Sequence, residues 1–275
     1  MIGALIIVFR EVIEAGLVVG IVLAVTRDVA GSRLWTLGGV AGGIAGSCLV
    51  AAFTGTLASL FAGSGQEIFN ASILAIAVAM LAWHNIWMAR HGRQMATELK
   101  AAGEAVSAGS RSLMALAVVV GIAVLREGSE VVLFLYGVAI AGHEPFVSLL
   151  LGGVGGLLLG AALSALTYFG LVRIPPRYIF VVTSTLIAFL AAGMAAQSAS
   201  FLERAGLLEV MGGTAWDSSS VLAEDSIAGR ILHALIGYSD QPTFMQILVY
   251  LTTLLVIFAL TKFLAPRPRL TLRRV

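Results

Sequence analysis

The chain has 275 residues, 59% hydrophobic and 12% charged, with a formal net charge of +2 and a mean hydropathy of +0.99. Soluble domains carry about 25% charged residues, so this composition excludes a water-facing globule and makes the bilayer the natural solvent; no nucleic-acid partner is expected. A single cysteine, Cys48, excludes disulfides within the chain, thiolate zinc sites and iron–sulfur clusters, and four scattered histidines without a Cys-x-x-Cys-His motif leave no haem site.

A membrane span needs about 20 mainly apolar residues, and seven windows qualify. The first, 2–25, has no basic leader and is interrupted by Arg10, Glu11 and Glu14, so it reads as a retained helix rather than a signal peptide. After the turn signals Arg27-Asp28 to Ser32-Arg33 comes the second, 34–61, with glycines at 38, 42 and 46 on one face, a spacing that lets helix backbones approach closely. Gly63-Ser64-Gly65 precedes the third, 67–89. Near its inner end His84 and Asn85 lie between Trp83 and Trp87, which makes His84 an exit-side candidate, although an interfacial aromatic belt also accounts for the tryptophans.

Segment 90–112, with alternating charge and many alanines, is expected to extend the third helix as a solvated face. The fourth span, 113–141, carries Arg126, Glu127 and Glu130; Gly142-His143-Glu144-Pro145 separates it from the fifth, 146–172. Ile174-Pro175-Pro176 leads to the sixth, 178–201. In the loop 202–242, residues 226–236 have apolar groups at helical spacing, with Asp225 as the expected N-cap and Gly237 as the stop. That pattern predicts a surface helix at the outer mouth. A seventh span, 243–264, ends the transmembrane domain, 1–265, and a basic tail, 266–275, is expected in the cytoplasm.

Lysines and arginines set the orientation. Thirteen fall on the side of loops 26–33, 90–112 and 173–177 and the tail, against only Arg204 and Arg230 opposite. The N-terminus is therefore expected outside and the C-terminus in the cytoplasm of a cell (inner) membrane protein. Acids show the reverse bias: Glu67, Glu144, Glu203, Glu209, Asp217, Glu224, Asp225 and Asp240 all fall outside. An acidic mouth concentrates cations, though the positive-inside rule by itself also leaves acids outside.

The chain resembles itself. Arg10-Glu11-Val12-Ile13-Glu14 recurs 116 residues on as Arg126-Glu127-Gly128-Ser129-Glu130, and Gly38-Gly39 through Gly43 recurs at an offset of 114 as Gly152-Gly153 through Gly156. Three spans per unit is an odd number, so repeat one (1–89) and repeat two (113–201) are expected to cross the membrane in opposite senses. Inverted repeats with a site near the midplane are a recurring transporter plan. The expected fold is thus an all-α integral membrane protein of seven transmembrane helices, with an inverted repeat of helices 1–3 and 4–6 plus helix 7.

Six charges at a bilayer centre cost about 15–21 kcal/mol if unpaired and additive, so the two motifs must face one another or a hydrated path. On helices, Glu11/Glu14 and Glu127/Glu130 share a face, while Arg10/Glu14 and Arg126/Glu130 are spaced for ion pairs. Each arginine can then orient one carboxylate and leave the other free. Four carboxylates against two guanidinium groups form a cage of hard oxygens for Fe³⁺, Fe²⁺, Mn²⁺ or Mg²⁺. Buried ion pairs fixing helix register are the structural alternative.

Arg-Glu-x-x-Glu in the first and fourth of seven spans, with Gly65-Gln66-Glu67-Ile68-Phe69, Phe189 through Gln197, and Glu224-Asp225-Ser226 through Tyr238, resembles the oxidase-dependent iron permeases, including bacterial high-affinity members. That resemblance implies iron (Fe³⁺ or Fe²⁺) imported as substrate, with Glu11, Glu14, Glu127 and Glu130 as metal ligands. It also implies that Arg10 and Arg126 orient them, that Glu67 is an acid of the outer mouth, and that the partner is an extracytoplasmic iron oxidase or iron-binding protein. Val12 stands where the family commonly has glycine and is expected to narrow that side of the site. A proton-coupled transporter or channel for another divalent cation is the alternative. An intramembrane carboxylate enzyme would need a nucleophile–base pair or a zinc motif that the chain does not present.

Overall fold

The computed structural model describes residues 1–60, 66–142, 145–170, 176–208 and 211–264. The expected breaks at 63–65, 143–144 and 173–175, the acids Glu144 and Glu209, and the tail 266–275 lie outside the described residues, as do the side chains of Arg90, Arg93 and Arg177. Eight helices are found among those described: α1 (Ile2–Val25), α2 (Ser32–Leu60), α3 (Gln66–Ser107), α4 (Leu113–Gly142), α5 (Phe146–Tyr168), α6 (Pro176–Arg204), α7 (Ile227–Ile236) and α8 (Phe244–Leu264).

The helices begin and end where the chemistry allows. Thr26 and Ser32 close the turn after α1: Thr26 Oγ1 donates to Val22 O at 2.8 Å and Ser32 Oγ to Thr26 O at 2.9 Å. Gly31 sits there at φ 82°, a conformation that side chains resist. The N-cap of α7 is Ser226, not Asp225: the Ser226 hydroxyl accepts from Gly229 N at 3.0 Å. A Ser side chain held one residue nearer the helix meets the orphan N–H that Asp225 does not. Gly237 ends α7 in the left-handed region, as its position predicts.

α3 runs on for 42 residues to Ser107, through the segment expected to extend it. One face of that extension is not solvated. Leu99 and Val106 are buried, Gly103 lies against Val25, and Ser107 Oγ donates to Val25 O.

Among the described residues, five helices are long and apolar enough to cross a membrane: those at Ser32–Phe53, Gln66–Trp87, Phe146–Tyr168, Val181–Arg204 and Phe244–Phe263. α1, with 24 residues, and α4, with 30, are also long and apolar apart from the three charged residues that each carries at its middle. Large apolar side chains such as Leu34, Leu49, Phe146, Leu158 and Leu255 are exposed around the bundle. Apolar cover on this scale suits lipid rather than water, and the protein is a multi-pass membrane protein.

Helix packing is organised by glycine. A side chain on Gly43 of α2 would strike Gly121 O, Val124 Cβ and Leu125 N of α4; one on Gly156 of α5 would strike Leu5 O, Val8 Cβ and Phe9 N of α1. Gly39 against Ala117 and Gly152 against Met1 repeat the relation one turn earlier. α1 and α4 therefore correspond at an offset of 116 (5 to 121, 9 to 125), and α2 and α5 at 113 (39 to 152, 43 to 156). This register corrects the glycine alignment at 114 by one residue.

The third helices follow the same register. Asn85 Nδ2 donates to Ser184 O at 3.0 Å and Ser198 Oγ to Ala71 O at 2.8 Å, so 71 answers to 184 and 85 to 198. α1 runs parallel to α5 and α2 parallel to α4. α1 ends where α4 begins, because Gly31 meets Leu113 and Val22 packs with Leu116 and Val120. The core is split in two. One cluster joins Ile7, Leu74, Phe134, Ile187 and Met194; the other joins Val22, Val106, Leu116, Val120 and Val124. The charged turns of α1 and α4 lie between them.

Candidate metal site

On α1 the helical spacing of four brings Arg10 Nε to 2.9 Å from Glu14 Oε1, while Arg10 Nη1 stands 4.0 Å from Glu11 Oε1. On α4 Arg126 Nε lies 3.1 Å from Glu130 Oε1 and 3.9 Å from Glu127 Oε1. Each arginine thus grips the second carboxylate of its motif and leaves the first more loosely held. The two charged turns meet across the α1–α4 contact.

His84 of α3 stands between them. Its Nε2 is 3.3 Å from Glu14 Oε2 and 3.9 Å from Glu11 Oε2, and its Nδ1 contacts Glu130 Oε2. The expected exit-side placement therefore understates His84, which touches carboxylates of both motifs. With α3 continuing to Ser107, this residue is in mid-helix. Asn85, bonded to Ser184 O on α6, fixes the rotation of α3 that aims His84 inward.

One ligand atom from each of Glu11, His84, Glu127 and Glu130 lies within 4.8 Å of the others. Metal–oxygen bonds of about 2.0–2.6 Å place opposite ligands at about twice that distance, so the set has the dimensions of a single cation site. Glu14 falls outside the set, engaged by Arg10 and His84. Both oxygens of Glu11 and Oε2 of Glu127 are buried without a hydrogen bond, while Oε2 of Glu14 and of Glu130 face the ring nitrogens of His84. Buried carboxylate oxygens without donors are costly, and a bound cation would satisfy them together. Four carboxylates and two guanidinium groups leave a formal charge of −2 with His84 neutral.

A cavity of about 370 Å³ reaches this cluster between α3 and α4, lined by Met80, Trp83, His84, Trp87, Arg126 and Glu130. The Arg126 guanidinium lies 4.4 Å from the centre of the Trp87 ring, a cation–π contact. The sequence pattern read Trp87 only as an interfacial anchor; its spacing of three from His84 was the signal that it shares the site's face.

Val12 does not narrow the site. Its side chain packs on Gly160 of α5, at the place where Ser47 of α2 meets Gly128 of α4. Bulk on one helix is answered by a small residue on the other. Glu67 lies apart from the cluster, at the start of α3, where its Oε2 is 3.7 Å from Arg204 Nε.

In the loop before α8, His233 Nδ1 lies 3.1 Å from Glu224 Oε1 and 2.8 Å from Tyr238 O. The hydrogen bond with His233 holds the Glu224 carboxyl below its ordinary range, against the opposing effect of burial. Bonds from Ser219 likewise lower Asp217.

The model of the iron permease FTR1 family matches residues 1–268. Two proteins named ferrous iron permease EfeU, from Shigella sonnei (strain Ss046) and Escherichia coli O157:H7, are each 32% identical over 264 residues, covering 92% of this chain and 94% of theirs. A third of that name, from Shigella flexneri, is 34% identical over 201 residues, covering 71% of this chain and 84% of its own. No solved structure matches.

Proposed function

The chain belongs to the iron permease FTR1 family, and from that premise we propose that it carries iron into the cell through the Arg-Glu-x-x-Glu cluster, with the ion as substrate. The observation that carries this reading is the convergence of Glu11, His84, Glu127 and Glu130 within 4.8 Å, with both oxygens of Glu11 and Oε2 of Glu127 buried and without a hydrogen bond. Glu14 then acts as the anchored carboxylate beside them, held by Arg10 as Glu130 is by Arg126. The relatives are named ferrous iron permeases, which supports Fe²⁺ as the transported species; an imidazole nitrogen among the ligands suits Fe²⁺ as well.

The same reading makes α1 to α3 and α4 to α6 an inverted repeat, with α8 as a seventh crossing. It is supported by the recurring glycine contacts and by the parallel α1/α5 and α2/α4 pairs. In this arrangement α1 and α4 cross the membrane despite their charges, because those charges face each other rather than lipid. The positive-inside count supports an N-terminus outside, a C-terminus in the cytoplasm and a place in the cell's inner membrane, with Glu67 at the outer mouth. An extracytoplasmic iron oxidase or iron-binding protein would deliver the ion. No chemical conversion is assigned to the chain itself.

The test is uptake of ferrous iron into proteoliposomes under anaerobic conditions, with ferric iron, manganese and magnesium in parallel. Glu11→Gln, Glu127→Gln and Glu130→Gln are each expected to abolish iron uptake while the protein still assembles. Iron uptake that survived all three substitutions would sink the reading.

A further inference from the structure

The cavity at the cluster lies between α3 and α4, and the recurring register carries it onto a second place. An offset of 113 takes Met80 to Gly193, His84 to Gln197 and Trp87 to Ser200, while 116 takes Arg126 and Glu130 back to Arg10 and Glu14. The counterpart crevice is thus the one between α6 and α1. Its motif is the first, Arg10 and Glu14, where the open cavity has Arg126 and Glu130, and its walls are small or neutral where the open cavity has two indoles and an imidazole.

The α1–α6 contact onto which the register maps the cavity is covered by an element that the two units do not share. α7 packs on both α6 and α1. At its C-terminus Gly237 meets Gly193 so closely that a Cβ on either would lie 2.7 or 2.5 Å from the other's Cα. Gly193 is the counterpart of Met80, so α7 sits on the position that answers to a wall of the open cavity. Inside, Ile7, Phe134 and Met194 pack together on this side of the carboxylates.

Gln197 is placed to meet a cation there. It precedes Ser198, whose hydroxyl is bonded to Ala71 O, and Ala71 is one turn along α3 from Glu67. Glu67 pairs with Arg204, two turns along α6 from Gln197. Gln197 therefore stands between the outer acid pair and the carboxylate cluster, as His84 stands on the opposite flank.

We propose that the α1–α6 crevice is the outer entrance to the carboxylate cluster, that Gln197 is its cation-binding residue, the outer counterpart of His84, and that α7 is the lid over it. This rests on the iron-transport reading above. The Gln197 carbonyl is a hard, neutral oxygen donor, able to replace one water of a hydrated divalent cation without adding charge. The incoming ion meets an amide oxygen first, then the cluster of carboxylates and His84. In two-sided transport by paired units, each unit's arrangement is the other's in the alternate state, and the α3–α4 cavity is the arrangement that the α1–α6 side takes when α7 lifts.

The experiment is ferrous iron uptake by reconstituted full-length protein carrying Gln197→Leu or Gln197→His, with Glu130→Gln as control. Gln197→Leu is expected to raise the half-saturating iron concentration about 10–100-fold, the usual effect of losing a group that serves a metal site, with the maximal rate close to wild type. Gln197→His is expected to restore it. Unchanged half-saturation in Gln197→Leu beside an inactive Glu130→Gln overturns the entrance proposal and leaves the transport reading standing. A loss that Gln197→His does not restore also overturns it, because the side chain is then structural. Normal uptake by Glu130→Gln instead overturns the transport reading itself. As a second measurement, Ser200→Cys in a Cys48→Ser background is expected to react with a membrane-impermeant maleimide added to intact cells; absence of outer-face reaction overturns the entrance.

Discussion

Arg10 and Arg126 grip the carboxylates four residues ahead of them at 2.9 and 3.1 Å, yet the Arg10 side chain is 1% exposed and that of Arg126 36%. The two motifs are equal in sequence and unequal in setting. Breaking a buried ion pair by removing one partner costs about 3–5 kcal/mol, whereas a partly exposed pair is worth about 0–1 kcal/mol. Arg10→Ala should therefore destabilise the protein far more than Arg126→Ala. Thermal unfolding in detergent measures both, and equal losses would contradict the asymmetry.

His84 is the one imidazole among the four grouped candidate ligands, and it touches both motifs. His84→Gln keeps a polar group of similar reach but removes the imidazole nitrogens. Ferrous iron binding to the purified protein should weaken about 10–100-fold, with iron losing more affinity than magnesium, since imidazole prefers the transition metal. Equal losses for both ions would show that His84 holds the helices rather than the metal.

The exchange of bulk between Val12/Gly160 and Gly128/Ser47 can be tested by transplanting it. A Cβ on Gly128 would run into the Ser47 hydroxyl. Gly128→Val should cost about 1–3 kcal/mol as overpacking. Adding Ser47→Gly rebuilds at α2–α4 the fit seen at α1–α5, and should recover most of that loss as a positive coupling in a double-mutant cycle. Additive penalties would mean that the two crossings do not share one geometry.

Acid should loosen the loop that carries α7. Glu224 is held below its ordinary range mainly by the hydrogen bond with His233, and its neighbours include Asp240, whose Oδ2 accepts from Glu224 N. With the folded value depressed, the unfolded loop binds more protons, so this contribution is present above about pH 4.3, the ordinary glutamate value, and is lost as pH falls through the folded value. Hydrogen exchange of residues 227–236 should quicken on acidification through that window in the wild type. Glu224→Gln should flatten the response; a wild-type loop indifferent to acid would refute the latch.

Much of the fold was legible because its signals are local. Apolar windows and glycine rows are properties of short stretches, and α1, α2, α4, α5, α6 and α8 fall on the expected windows within a few residues. The N-cap of α7 was missed because Asp225 and Ser226 are both good caps, and only the approach of Gly229 N decides between them. The buried face of the α3 extension was missed because Leu99 and Val106 are too sparse to form a periodic stripe until α1 covers them.

By itself the sequence determined that the chain lives in a membrane and that two charged turns, 116 residues apart, must be shielded from lipid there, since burial cost leaves no other place for six such charges. Tertiary structure alone decided which groups converge. His84 and Glu14 exchange prominence because the rotation of α3, pinned by Asn85 on Ser184, brings an imidazole between the motifs while Arg10 draws one carboxylate aside. The register of the glycine crossings, one residue away from the sequence alignment, was also set only by contact. Backbone can touch backbone at glycine alone, and which glycine does so depends on the helix opposite.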